Sequence, residues 1–464
     1  MPAEFEKATK AESLSVQIDQ RLFDGVAWAE KGDHGKAAAC FNQALFLMRG
    51  RDLPELEGVA AQLLVNYSIA LGDLGNFEGA LATCDEFLAK FRGAASPQQI
   101  SDALQSKGVT LYQLDRFVEA IGCYDEALAL LDKQTDASAD EPYGETIAQL
   151  LVNKIITLGA LDDSRTVLVT CDYLLRRFGD SDKASLQDQI GTTLINKGIS
   201  LHRLGKPIEA IACYNEVVRR FGESISAAHR EMVAHALVNK SGCLSSLGKP
   251  ADAVAVCEEL FERFGDAEEA ELLTHLATAL LNKGTDLAQL GRIKESLAAC
   301  DELLSRFGNA LAAGLRPDVV KAWVNRGIDL HHLGKRDEEL ANWEELIKRF
   351  GEDQDLTFRV RVAKAILNKA CLLGSLGRLE EEIVSYKELL RRYDRAADGE
   401  LLELVAKARF NEIIAMEQLG RRTEVLGKCE EFSRHYSRSQ DLAIREMTSE
   451  VRRLRLRLDT EPPA

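Results

Sequence analysis

Asparagine recurs along this chain at a fixed interval: Asn153, Asn196, Asn239, Asn282, Asn325, Asn368 and Asn411 are each 43 residues apart, and Asn66 belongs to the same series. A side-chain amide carries both a donor and an acceptor, so it can hydrogen-bond another chain's backbone in either direction. Asn is also a poor helix former, and its recurrence inside a helical pattern calls for a reason. Two stay open: contact with another chain, or a bond to a backbone carbonyl or side chain of the neighbouring repeat that holds register. Lys321, Lys364 and Lys407 each precede their Asn by four residues, which stacks Lys and Asn on one helical face. Lys321 can pair with Asp318 and Lys407 with Glu403 along the helix, whereas Lys364 has Arg361 beside it. A second cation row, Lys107, Lys154, Lys197, Lys240, Lys283, Arg326 and Lys369, is expected to reach acids on neighbouring helices such as Asp172, Glu258, Asp301 and Glu344.

Residues for catalysis do not assemble. The chain has no GxxxxGK[ST], no GxGxxG after a strand, no HExxH and no GxSxG. His229 and His235 are six apart, not the three or four that bring two imidazoles onto one metal, and His202, His331 and His332 are scattered. Cys84, Cys171, Cys257, Cys300 and Cys429 share one repeat position and Cys40, Cys123 and Cys213 the adjacent one. Recurrence at one helical slot marks small buried residues, so the ten cysteines are expected to be reduced and structural. The sequence therefore predicts neither an enzyme, nor a cofactor, nor a metal site.

Composition narrows the partner. Of 464 residues 46% are hydrophobic and 28% charged, with 33 Gly and 9 Pro, a globular mixture rather than a disordered or fibrous one. Net charge is −16, which speaks against nucleic acid as the main partner. No segment approaches the ~18–20 apolar residues of a membrane span, and the first twenty residues lack the apolar core of a secretory signal. A cytoplasmic protein is expected, binding a protein or peptide, with no nucleic acid and no membrane. It is expected to be a monomer, although sequence does not fix the oligomeric state.

The elements that must position the asparagines are helices. Ten units cover about residues 16–440, with Ser106 at the Asn position of the third and Phe23 at that of the first. Within one unit Leu194, Leu201 and Leu204 mark one helix and Ala210, Tyr214, Val217 and Phe221 a second, separated by Gly205-Lys206-Pro207. Gly32, Gly75, Gly205, Gly248, Gly291, Gly334, Gly377 and Gly420 mark the turn, where a left-handed conformation ends the first helix. Phe-Gly pairs ending at Gly179, Gly222, Gly265, Gly308 and Gly351 are expected to close the second helix with another left-handed glycine. No strand pattern appears.

A small residue in the first helix (Gly25, Gly108, Gly198, Gly284, Gly327), Leu three positions on, the turn Gly, Ala five later (Ala37, Ala80, Ala120, Ala210, Ala253) and an aromatic or Cys four after that resemble tetratricopeptide repeats. The 43-residue unit is similar to the long variety of kinesin light chains and LGN-type scaffolds. The chain departs from the family in having Gly where Pro is common after the second helix and Lys right after the Asn. Ser296, Glu339, Glu382 and Val425 replace the small Ala, which predicts looser packing in the later units.

The resemblance implies an all-α, right-handed α-solenoid (superhelix) of about ten hairpins whose first helices line a concave groove. It further implies a non-enzymatic scaffold that holds an extended peptide or partner helix through an asparagine ladder: Asn66, Asn153, Asn196, Asn239, Asn282, Asn325, Asn368 and Asn411. Val65, Val152, Ile195, Val238, Leu281, Val324 and Leu367, with Ile199 and Ile328, would supply pockets between the rungs. Lys321, Lys364 and Lys407 would act as a carboxylate clamp. The alternative is a regulatory or sensor subunit that docks an effector through its convex face or C-terminal helix. The domain reading is a leader or cap over 1–15, the array over 16–440, a capping helix over 441–458 and a tail over 459–464. That last helix carries Ile444, Met447, Val451, Leu454 and Leu458 as a narrow apolar seam, which a cap explains better than a dimerising coiled coil. Residues 132–146 are expected to form a surface loop.

Overall fold

A computed structural model describes residues 2–49, 56–133, 143–309, 314–396 and 399–460, with residues 2–13 by backbone alone. Most of the expected loop at 132–146 lies outside the described residues. Helical hairpins account for the elements. They are α1 (Pro2–Glu30) with α2 (His34–Met48), α3 (Glu57–Asp73) with α4 (Phe77–Phe91), and α5 (Pro97–Gln113) with α6 (Phe117–Asp132). Next come α7 (Gly144–Ala160) with α8 (Ser164–Phe178), α9 (Ala184–Arg203) with α10 (Pro207–Phe221), and α11 (Ala227–Ser246) with α12 (Pro250–Phe264). The series closes with α13 (Ala270–Gln289) and α14 (Ile293–Phe307), α15 (Arg316–His332) and α16 (Arg336–Phe350), α17 (Leu356–Ser375) and α18 (Leu379–Tyr393), α19 (Gly399–Gln418) and α20 (Arg422–His435), then α21 (Leu442–Thr460). The chain divides into two compact units, residues 1–239 and 240–464, with the boundary inside α11. Each unit is an all-α solenoid of helical hairpins, and residues expected as a separate leader are continuous with α1.

The turn glycines fold as their spacing requires, with φ between 69° and 75° at all eight positions. In the third and fourth hairpins Asp115 and Asp162 hold the same left-handed conformation, at φ 57° and 58°. Asp tolerates it better than most residues because its short side chain can bond locally. The small residue of the first helix is a seat for an aromatic of the second: a Cβ on Gly108, Gly198 or Gly327 would lie within 2.5 Å of Tyr124, Tyr214 or Trp343.

The Phe-Gly glycines differ from expectation. Gly179, Gly222, Gly265, Gly308 and Gly351 are right-handed, with φ from −57° to −63°. Four of their carbonyls accept from an arginine of the next second helix: Arg220 to Gly179 at 2.9 Å, Arg306 to Gly265 at 2.7 Å, Arg349 to Gly308 at 3.1 Å and Arg392 to Gly351 at 2.8 Å. At Gly351 a Cβ would meet that guanidinium at 2.7 Å, so the missing side chain makes room for the arginine.

Lysines of the first helices also reach back to the preceding second helix. Lys107–Asp85, Lys154–Asp125, Lys197–Asp172, Lys283–Glu258, Arg326–Asp301 and Lys369–Glu344 lie between 2.5 and 3.0 Å. Consecutive hairpins are thus held in register by two rows of cations, neither of which involves the asparagines.

The expected looseness at Ser296, Glu339, Glu382 and Val425 is not found, since all four are buried. Ser296 donates to Asp329 at 2.6 Å, Glu382 accepts from the Tyr386 hydroxyl at 2.9 Å, and Gly374 leaves the space that the Glu382 carboxylate fills. At the C-terminal end, Ile444, Val451, Leu454 and Leu458 of α21 are buried in a cluster with Ile413, Met416, Val425 and Phe432 of α19 and α20, so the seam is covered by its own chain.

Candidate functional site

First helices pack on one another within each unit, as in α3 on α5, α7 on α9, α13 on α15 and α17 on α19, whereas second helices meet their neighbours chiefly through first helices. The first helices are therefore the inner layer, and their exposed faces form one continuous surface in each unit. All eight asparagines sit half-buried on these helices.

Each amide with a protein partner uses only part of its capacity. Asn66 and Asn153 accept through Oδ1 from Gln62 at 3.0 Å and Gln149 at 3.1 Å, one turn earlier on the same helix. Gln189 donates to Gln149 at 3.2 Å, extending that row from α7 to α9. Asn196 and Asn239 donate to the carbonyls of Thr192 at 2.9 Å and His235 at 3.0 Å. Asn282, Asn325 and Asn411 donate across to the preceding first helix, to Ser241 Oγ at 3.3 Å, Thr285 Oγ1 at 3.4 Å and Cys371 Sγ at 3.9 Å. Asn368 has no hydrogen bond among the described residues. The long bonds to Thr285 and Cys371 lie at the weak end of hydrogen-bond geometry.

Six of the seven apolar neighbours stand elsewhere than expected, Leu367 being half-buried. Val65, Val152, Ile195, Val238, Leu281 and Val324 are at most 9% exposed and belong to the core. One residue along a helix is a 100° rotation, which takes the position before each Asn off its face. The position three after it stays on that face: Ile69, Val109, Ile156 and Ile328 are 46%, 40%, 37% and 42% exposed. Ile199, at the same position, is half-buried. In the first unit this row is unbroken from α3 to α9; in the second it is interrupted by Gly242, Thr285 and Cys371. A depression of about 590 Å³ opens between α3 and α5, lined by Gln62, Asn66, Ile69, Asp102, Ser106 and Val109 among others. Ser106 stands there in place of an asparagine, and the smaller side chain leaves the space.

All three clamp lysines have acidic partners. Lys321 lies 3.2 Å from Asp318 and Lys407 2.6 Å from Glu403, the pairs that helical spacing allows. Lys364, unpartnered along its own helix, lies 2.6 Å from Glu400 at the start of α19. The neighbouring hairpin supplies a charge that spacing within one helix does not reveal.

Chemistry of other kinds does not gather. Among the described residues no group of three His, Cys, Asp or Glu could hold a metal ion. All ten cysteines are free thiols, eight of them buried, and burial pushes Cys171 and Cys300 up to about 12, far from a reactive thiolate. His229 is fixed between Asp188 at 2.9 Å and Ser224 at 2.8 Å, a structural position. No described helix is long and apolar enough to cross a membrane.

No protein-family model matches this sequence, and no curated protein does. Solved structures do. RapI in its apo form is similar over 87% of this chain and 98% of its own, at 13% identity and a TM-score of 0.53. The apo quorum sensor NprR from B. thuringiensis covers 81% of this chain and 97% of its own, at 16% identity and 0.49. A tetratricopeptide repeat protein from Parabacteroides merdae covers 66% and 98%, at 13% and 0.44. At such identities the likeness is one of fold.

Proposed function

We propose that this chain, whose fold is that of the tetratricopeptide-repeat superfamily, is a protein-interaction scaffold that holds an extended segment of a partner along its first helices. The carrying observation is the pairing of half-buried asparagines with a row of exposed aliphatic side chains one turn further on. An extended segment needs both: amides for its backbone, whatever its sequence, and apolar contacts for alternate side chains.

Register competes only in part: Asn282, Asn325 and Asn411 bond the preceding first helix over 3.3 to 3.9 Å, while shorter Lys-to-acid pairs and Arg-to-carbonyl bonds already link consecutive hairpins. Asn196, Asn239, Asn282, Asn325 and Asn411 keep Oδ1 for a ligand N–H, while Asn66 and Asn153 keep Nδ2 for a ligand carbonyl. Lys321, Lys364 and Lys407 serve a carboxylate of the segment by exchange. Partly exposed ion pairs contribute only ~0–1 kcal/mol, so releasing Glu400 or Glu403 costs little, whereas buried Asp318 keeps Thr278 as a donor when Lys321 leaves it.

The test uses an unbiased peptide array probed with the whole chain. Asn153→Ala with Asn196→Ala, and separately Asn282→Ala with Asn325→Ala, are each expected to weaken selected peptides about tenfold, the loss of two hydrogen bonds of ~1 kcal/mol or less. Unchanged affinity in both double variants, with helix content retained, would sink the proposal.

A further inference from the structure

The repeat supplies its own baseline for each position, and one region of the second unit departs from it mostly toward positive charge. Position 387 is Lys, where the five preceding hairpins have Asp172, Asn215, Glu258, Asp301 and Glu344. Position 395 is Arg, where they have Asp180, Glu223, Asp266, Asn309 and Glu352. Position 409 is Arg, where Leu151, Leu194, Leu237, Leu280, Trp323 and Ile366 precede it, and Lys428 follows Thr170, Cys213, Val256, Ala299, Asn342 and Ser385. These four departures are toward positive charge, while Asp394 and Glu412 depart the other way, from Gly and from Lys or Arg; all six line one cavity of about 640 Å³ between α18, α19 and α20. Its lining holds six cations and three acids, in a chain whose net charge is −16.

The interior of this cavity is unfinished. Arg409 is 12% exposed and bonds Asp394 and Glu431, yet its buried Nε has no acceptor. Glu412 is fully buried at a position that is Lys or Arg in the six preceding hairpins. Lys428 Nζ lies 3.2 Å from it, but neither carboxylate oxygen accepts a well-formed hydrogen bond. At the rim Lys387 and Arg391, one turn apart on α18, and Arg395 just beyond its end have no acidic partner among the described residues. Like charges one helical turn apart destabilise a helix, and a bound anion relieves that cost.

We infer that this cavity is a docking site for an acidic segment of a partner protein, with Asp or Glu at alternate positions of an extended strand. Residues one helical turn apart rise by about 6 Å. Same-side residues of an extended chain are about 6.7 Å apart. The two repeats match, so one carboxylate meets Lys387 and the next Arg391. The lining has no aromatic side chain to stack on a nucleobase. None of these residues belongs to the asparagine face, so this site stands or falls by itself.

Fluorescence anisotropy on the full chain tests it with a labelled octapeptide alternating Glu and Ser, the same peptide with Gln for Glu, and inorganic tripolyphosphate. The Glu peptide is expected to bind and the Gln peptide not. Lys387→Glu with Arg395→Glu should weaken binding tenfold or more; helix content is compared on the same sample, since an acid at 387 would stand opposite Glu412 where Glu344 stands opposite Lys369. Lys294→Glu with Lys348→Glu, a charge-matched change on other hairpins, should leave it within twofold. Equal binding of the two peptides, or equal loss in the two double variants, overturns the site. So does Lys387-dependent binding of tripolyphosphate without binding of the Glu peptide, which assigns the cavity to a phosphate-bearing small ligand. Arg391→Gln repeats the test at a rim position that makes no ion pair or hydrogen bond among the described residues.

Discussion

The two units solve one packing problem with different chemistry. Among described residues the first buries only hydroxyls as polar groups: Ser68, Thr83, Ser101, Thr110, Thr157, Ser164, Thr170, Thr193 and Ser200. Most of these bonds stay within a helix, as when Thr157 and Thr193 donate to carbonyls four residues earlier. The second buries Asp286, Asp318, Asp329, Glu339, Glu382 and Glu412, together with Asn342. Several of these take donors from another helix, as Asp286 does from Ser245 at 2.8 Å and Asp318 from Thr278 at 2.7 Å. A hydroxyl that returns its proton to its own helix fixes nothing beyond that helix. A carboxylate that needs a donor on another helix selects how the two pack, and its burial makes it sensitive to loss of that donor.

The largest effect is steric and separates one hairpin of each unit, since Gly327 in the second is seated as tightly against Trp343 as Gly198 in the first is against Tyr214. Gly198→Ala in the first is expected to cost ~1–3 kcal/mol, because the new methyl group would lie 2.5 Å from Tyr214. Gly284→Ala in the second meets nothing nearer than 3.6 Å and should stabilise by up to ~1 kcal/mol through helix propensity. Urea unfolding of both variants checks the pair, and equal losses would mean that the seats are equally tight.

Next comes removal of a buried acid. Glu382→Ala leaves the Tyr386 hydroxyl without its acceptor and opens a void, for an expected loss of ~2–3 kcal/mol. Thr193→Val in the first unit removes a bond within one helix and should cost ~1 kcal/mol or less. Melting curves of the two variants rank them.

Acidity sharpens the contrast further. Burial holds Asp286, Asp329 and Glu382 above the usual carboxyl range. Each therefore binds its proton more tightly folded than unfolded, and its effect on stability is most favourable at low pH and declines as pH rises through its raised value. His235 in the first unit is held below the usual imidazole range by burial, so its contribution is intact above pH ~6.5 and is lost as pH falls below that. Asp102, raised by burial in the same unit, works against this, which makes His235→Gln the informative variant. Hydrogen exchange corrected for intrinsic rates, taken from pH 7 to 5, should show protection falling in helices of the first unit and holding or rising around α13 to α18. His235→Gln should flatten the first response.

The smallest effect is that of the lysine pairs. Lys197→Met and Lys369→Met should each change stability by less than ~1 kcal/mol, being single partly exposed ion pairs. A difference between them larger than that would assign the staple a different weight in the two units.

What sequence discloses here is local punctuation. Gly205 and its counterparts announce left-handed turns because few other residues adopt that conformation cheaply, whereas Asp115 and Asp162 take the same role without the glycine signal. Partners a full repeat away are hidden. The Gly179 carbonyl accepts from Arg220 of the next hairpin, and Lys364 finds Glu400 rather than a neighbour on its own helix. For the candidate face, periodicity places the asparagines on one side of the first helices but misjudges which aliphatics accompany them. Val65 and Val152 turn into the core, and Ile69 and Ile156 come to the surface.

The arginine-to-glycine bonds have a direction. Arg220 reaches a carbonyl of the preceding hairpin, as do Arg306, Arg349 and Arg392. Lys197 and Lys369 likewise point toward the amino terminus. Within each unit, then, a newly made hairpin brings the donor and finds its acceptor already in place. These staples can close behind the ribosome one hairpin at a time, whereas Ser245, Thr278 and Lys364 wait for Asp286, Asp318 and Glu400 of the hairpin that follows.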